Sequence, residues 1–248
     1  MNLDAPLAWL DKFELVSFNS AEDLAARVAG DWLEEIEAAG RAGRTHCVAL
    51  SGGRIALKFF AAAAEQARAR AVSFNHVHIF WADERCVPPD HGDSNFAVAR
   101  QSLLAPLKIP ESQVHRLRGE TPPQVAADEA AAEICRVAPL NENARPVLDL
   151  VLLGMGEDGH VASLFPNAPA AVLNGTSPFL VVENSPKPPP RRISLSYGAL
   201  AAARRVWILV AGGGKEASLR ESLSPSGKTP LGRVIQSRVR TKIFYFFS

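Results

Sequence analysis

Two titratable residues, Asp158 and His160, stand one glycine apart in the stretch LVLLGMGEDGHVASLFP, residues 150–166. An imidazole with an unperturbed pKa of about 6.5 is a ready base near neutral pH. The apolar run Leu150 to Leu153 before it has the composition of a buried parallel strand. Gly154, Gly156 and Gly159 make the following turn one whose backbone can approach a ligand closely. Ligands of open α/β sheets bind at such carboxyl ends of strands.

The same glycines also fit the G-x-G-x-x-G spacing of a dinucleotide site, and Glu183 follows at roughly the distance expected of a ribose-binding acid. That motif requires a crossover helix directly after its last glycine. Pro166 and Pro169 leave room for little more than two turns, so the required context is missing.

Other strand ends carry compatible groups. Thr45 to Leu50 reads as a strand running into Ser51-Gly52-Gly53 and an alanine-rich helix from about Arg54 to Arg70. Free N–H groups and the helix dipole would make that turn an anion site, although glycines that merely tighten a βα turn read the same way. Val77 to Trp81 is a further strand, and Asp83-Glu84-Arg85 comes off its end as a charged run. Arg205 to Ala211 is another, ending in Gly212-Gly213-Gly214-Lys215 before a helix. Two helix N-termini together with Arg85 and Lys215 suit a small anionic ligand, most simply a phosphate monoester.

The remaining pattern supplies a scaffold. Glu14 to Phe18 predicts a first strand, and Ser20 with Glu22 and Asp23 predicts a helix start. Leu24, Val28, Trp32, Leu33 and Ile36 recur at helical spacing until Gly40 and Gly43. Phe96 to Leu104 and Gln124 to Val137 read as helices, with an irregular segment from Pro106 to Pro123 between them. Phe179 to Glu183, Ile193 to Tyr197 and Ile243 to Phe247 read as strands, the middle one half-buried by its alternation. Pro186 to Arg192 is a proline-rich loop too short to link independent domains. His76 and His78 are expected as strand residues on one face.

Composition narrows the classes. Hydrophobic residues make up 47% and charged residues 21%, as in an ordinary globular protein, and 248 residues can bury one substantial core. A net charge of +1 without a basic block does not suggest nucleic acid as a partner. No apolar run approaches the ~18 residues that span a bilayer, and the acidic N-terminus does not read as a secretory signal. Cys47, Cys86 and Cys135 are odd in number and widely spaced, as expected of reduced thiols in a cytosolic protein. His76, His78, His91 and His160 are too irregularly placed for a zinc set, so no metal or other cofactor is expected.

Four blocks carry a family resemblance: WADERCVPPDHGDSNF (81–96), LGMGEDGHVASLFP (153–166), KPPPRRISLSYGAL (187–200) and AGGGKEASL (211–219). In order and content they resemble the 6-phosphogluconolactonases related to glucosamine-6-phosphate deaminase/isomerase. The resemblance implies an α/β fold: a three-layer sandwich with a mainly parallel, modified Rossmann-like sheet, as one domain over residues 1–248. It implies hydrolysis of 6-phospho-D-glucono-1,5-lactone in a cytoplasmic, pentose-phosphate setting, with a sugar phosphate lactone as the partner and neither nucleic acid nor membrane. Catalytic roles fall to His160, Asp158 and Arg85. Substrate or phosphate contact falls to Ser51, Gly52, Gly53, Arg54, Asp83, Gly156 and Lys215.

The sequence departs from the family where Arg54-Ile55-Ala56 follows the glycines in place of a hydroxyl residue and proline. Arg54 could supply charge there instead. The deaminase relatives resemble a pattern with a glutamate before the proline; here that position is Phe165, which cannot move protons. A sugar-phosphate-binding protein that lost the reaction is the non-catalytic alternative. Asp158 would orient either the imidazole or a substrate hydroxyl.

Overall fold

A computed structural model describes residues 7–248; residues 1–6, part of the stretch read as lacking a secretory signal, lie outside the described residues. The chain runs through α1 (Leu7–Leu10), β1 (Phe13–Ser17), α2 (Ala21–Arg41), β2 (His46–Leu50), α3 (Arg54–Ala69), β3 (Val77–Trp81) and β4 (Asp83–Arg85). Next come α4 (Asn95–Ala99), a π turn, α5 (Ala105–Leu107), β5 (Val114–His115), α6 (Pro123–Val137), β6 (Leu150–Gly154) and α7 (Ala170–Leu173). The last third holds β7 (Phe179–Val182), β8 (Arg192–Leu195), α8 (Tyr197–Ala202), β9 (Arg205–Ala211), α9 (Glu216–Ser222), α10 (Pro230–Gln236) and β10 (Thr241–Phe246).

Seven strands form one parallel sheet in the order β1-β10-β9-β6-β2-β3-β5, and helices flank it in an α/β sandwich. From β2 the chain moves outward to β3, whereas from β6 it moves the other way to β9, so the order reverses between β2 and β6. These two strands pair only through Val48↔Leu150 and Ala49↔Val151. Their carboxyl ends are therefore free to splay, and such a reversal is where open sheets form a crevice.

Each helix is fixed by residues legible locally. Ser20 caps α2, its hydroxyl accepting from the Asp23 amide at 3.0 Å, a contact worth about 1 kcal/mol. Leu24, Val28, Trp32, Leu33 and Ile36 of α2 are fully buried, each contributing on the order of 1.5–3 kcal/mol of burial. Helices α2 and α3 pack on each other and on the sheet.

The charged run after β3 takes a form the sequence did not suggest. Asp83–Arg85 is a strand, β4, in a second sheet ordered β4-β8-β7 and antiparallel throughout. Adjacent strand residues face opposite ways. Asp83 and Arg85 line a cleft, while Glu84 is buried on the other side. Its carboxylate accepts from the Asn95 amide at 2.7 Å, the Phe96 amide at 2.8 Å and the Ser94 hydroxyl at 3.0 Å, fixing the start of α4. Glu84 is thus a capping group for α4.

Other expectations are corrected. Residues 192–195 are buried throughout instead of alternating, because β8 is the middle strand of its sheet, and Tyr197 begins α8. The segment read as irregular contains β5, an edge strand of two residues paired with Ile79 and Phe80. Only His78 lies in β3; His76 precedes it and its Nε2 bonds the Ile36 carbonyl at 2.9 Å. Cys47 is a buried core residue, while Cys86 and Cys135 are half-buried.

Candidate active site

The carboxyl ends of β2 and β6 open into a cleft of about 310 Å³. After β6 the chain does not enter a helix. It turns back through bridges Met155↔Val161 and Val161↔Leu164, with Gly159 at φ +77°. The helix N-terminus that a dinucleotide fingerprint needs is therefore not formed after Gly159.

This tight turn brings Asp158 and His160 together. Asp158 Oδ1 accepts from the His160 amide at 3.2 Å and also bonds the imidazole Nδ1. Of the two groups it could orient, Asp158 is in contact here with the imidazole. With Nδ1 donating to the carboxylate, Nε2 is left with its lone pair. The His160 ring lines the cleft and packs on Phe165, centroids 4.6 Å apart. Burial pushes the imidazole pKa down, and the hydrogen bond to Asp158 opposes that shift without cancelling it. Burial pushes the Asp158 carboxyl up, but its bond and charge interaction with His160 hold it below the usual range.

Gly156 has a structural reason of its own. A Cβ on it would overlap the His160 ring and crowd Asp158 Oδ1, so only glycine lets the pair fold over the turn. Gly52 is likewise covered by the Asn95 side chain, which a Cβ would displace. Gly53 sits at φ +106° as the cap of α3 and makes no side-chain cap, which leaves the first amides of this helix to the cleft.

Asp83 forms a hub below these turns. It is 3% exposed, and its oxygens accept from Ser51 Oγ at 2.7 Å and Ser163 Oγ at 2.8 Å. Ser51 is thereby committed to Asp83, and Asp83 ties β4 to both turns while still lining the cleft.

Positive charge surrounds this floor. Arg54 occupies the first position of α3, and Arg85 is anchored by one bond from Nη1 to the Asp93 carbonyl at 2.7 Å. Lys215 caps the next glycine turn; burial lowers its pKa, and the nearby Arg54 charge lowers it further. Sequence reasoning missed two more cleft cations, Lys187 and Arg192. Arg192 pairs with Arg85 across β4 and β8, is 4% exposed, and is held by the carbonyls of Lys187 at 3.0 Å and Pro189 at 3.1 Å. The available signal was the adjacency of two arginines to a proline-rich loop. Asn95 and Glu157 also line the cleft and had not been singled out.

The structure thus gathers Ser51, Gly52, Gly53, Arg54, Asp83, Arg85, Gly156, His160 and Lys215 around one cleft, with Asp158 bonded to the histidine. An oriented neutral imidazole facing several cations can deprotonate a nucleophile beside an anionic substrate.

The chain is similar to known proteins over nearly its whole length. A sequence profile for the family described as glucosamine-6-phosphate isomerases/6-phosphogluconolactonase matches residues 19–243. A rice protein named probable 6-phosphogluconolactonase 3, chloroplastic, is 37% identical over 216 residues, 82% of this chain. The match spans only 62% of that relative's length. A 6-phosphogluconolactonase of Streptomyces coelicolor is 35% identical over 88% of this chain and 85% of its own. The crystal structure of 6-phosphogluconolactonase from Thermotoga maritima superposes with a TM-score of 0.81 at 27% identity, covering 95% of this chain and all of that one.

Proposed function

The chain belongs to the family of glucosamine-6-phosphate isomerases and 6-phosphogluconolactonases, and from that membership we propose that it hydrolyses 6-phospho-D-glucono-1,5-lactone to 6-phospho-D-gluconate. The observation that carries this reading is the Asp158–His160 pair set in a cleft ringed by Arg54, Arg85, Lys187, Arg192 and Lys215.

His160 Nε2 takes a proton from water as the oxygen attacks C1 of the lactone. The C1–ring oxygen bond then breaks, and the imidazolium returns the proton to the departing oxygen. General-base help of this kind is typically worth ~10²–10⁴ in rate. Asp158 holds the ring in its productive tautomer and stabilises the imidazolium. Arg85, or the amides of a glycine turn, offsets charge growing on the carbonyl oxygen. Lys215, Arg54 and the 51–53 turn grip the phosphate, so that binding energy far from C1 orients the ester. The reading uses the whole of residues 1–248 as one domain, a cytoplasmic setting, and a small sugar phosphate as partner, without membrane or nucleic acid. Among the described residues no helix is long and apolar enough to cross a membrane.

Phe165 favours this reading over a deaminase. It stands where those relatives carry an acid and packs on the imidazole that an acid would have to serve. Lactone turnover above its spontaneous hydrolysis separates an enzyme from a non-catalytic sugar-phosphate binder. We expect clear acceleration by the wild-type protein. Lys215→Ala should raise KM with a loss that shrinks for a lactone lacking the phosphate. No acceleration by the wild type would remove the activity from this chain.

A further inference from the structure

Two helices, α9 and α10, contact the turn that carries Asp158 and His160. Ser218, one turn into α9 and 9% exposed, donates its hydroxyl to the Glu157 carbonyl. The Leu231 amide of α10 donates to the Gly159 carbonyl at 3.1 Å. Thr229, which caps α10 by accepting from the Gly232 amide at 3.0 Å, lies so close to Gly159 that a Cβ there would press on its side chain. Ser222 joins the two grips, bonding Thr229 Oγ1 at 2.6 Å and the Ser218 carbonyl at 2.6 Å. Lys215, a cleft cation, stands at the N-cap of the helix that carries Ser218.

We infer that Ser218 is a positioning residue for the reaction, its hydroxyl holding the 156–160 turn in the conformation that keeps the His160 imidazole on Asp158 and aimed into the cleft. Inside the turn only two backbone bonds close the loop, Gly156 N to the His160 carbonyl at 2.9 Å and Gly159 N to the Gly156 carbonyl at 3.0 Å. Glycines at 156 and 159 leave that backbone with more freedom than any other residue type would. The contacts with 218 and 231 supply the constraint that its own sequence does not. Because Lys215 and Ser218 share one helical turn, the element that meets substrate anion also sets the base. The charges bearing on His160 are Asp158 from its own turn, Lys187 from the proline-rich loop and Asp83 from β4. None of these touches Ser218, so its effect runs through the turn's geometry.

The inference rests on His160 serving as the base, and its test has one arm that needs no substrate. The His160 Nδ1–H bonded to Asp158 should give a downfield proton resonance, assigned by its absence in His160→Asn. In Ser218→Ala we expect this signal to broaden or disappear through exchange with water. The kcat should fall roughly five- to tenfold with KM within about twofold, the size of one lost hydrogen bond. Ser218→Thr, which keeps a hydroxyl, should restore both. Should Ser218→Ala yield too little folded protein, Ser218→Cys, whose thiol is a weak donor, gives the same readouts. A sharp, unshifted resonance with unchanged kcat, or a loss of activity equal to the loss of folded protein, would overturn the assignment. If the wild type hydrolyses no lactone yet the resonance still depends on Ser218, the proposed activity fails and the positioning role stands.

Discussion

Burial moves the His160 pKa below its ordinary 6.5, and this direction has a consequence for catalysis. The base must be deprotonated, so a lowered pKa keeps it competent in mildly acidic solution. The acid limb of kcat/KM, which reports the free enzyme, should accordingly fall below pH 6.5. A pH–rate profile with that limb at or above 6.5 would mean that another group titrates. Arg85 and Arg192 line the same cleft and place positive charge beside the base. Asp83 has a different part, since each of its oxygens accepts from a serine hydroxyl, Ser51 on one and Ser163 on the other. Removing it would leave two hydroxyls without their acceptor and loosen both glycine turns together.

At the level of elements, the tight turn after β6 matters more than the strand that precedes it. Gly156→Ala places a methyl group in the His160 ring and leaves the core untouched. We expect such a protein to fold with near-normal thermal stability and to lose at least ~10²-fold in kcat, the low end of a general-base contribution. Normal turnover would show that the ring does not need its present position. The glycine turns and the strands that lead to them were legible in the sequence, because apolar runs and glycines are local signals. Arg192 was not, since it reaches the cleft through the antiparallel pairing of β4 with β8, and Lys187 comes with the proline-rich loop whose carbonyls Arg192 holds. That pairing joins residues more than a hundred positions apart, and no periodicity announces it. Edge strand β5, with two residues, is too short to show a pattern. Helix α10 did carry a local signal, Thr229 before Pro230 at its first position, and could have been found. Asn95 gave no such sign: its cover over Gly52 depends on Glu84 capping α4.

Across the whole molecule, ionisable groups collect at both ends of the parallel sheet. Cleft-lining cations crowd the carboxyl end, and at the opposite end Glu35, His46 and Asp149 lie among Arg44, Arg204 and Arg205. Burial pushes Glu35 up to about 7, while burial pushes His46 down to about 4. Trp32 Nε1 donates to His46 Nε2 at 3.3 Å, a bond that a protonated ring cannot accept. His46 therefore contributes stability at neutral pH that is lost as pH falls from its unfolded value of about 6.5 towards 4. Glu35 acts in the opposite sense: its protonated form suits the folded state, and stability is lost as pH rises from 4.5 towards 7. Glu35→Gln removes the second effect alone. The Tm of the variant minus that of the wild type should increase steadily between pH 4.5 and 7; a constant or decreasing difference would mean that Glu35 ionises normally.

Single-turnover hydrolysis of freshly prepared 6-phospho-D-glucono-1,5-lactone by His160→Asn tests the role of the imidazole most directly. We predict that the variant binds the phosphorylated sugar with nearly wild-type affinity yet cleaves the lactone at least ~10²-fold more slowly. Cleavage at the wild-type rate would contradict the account.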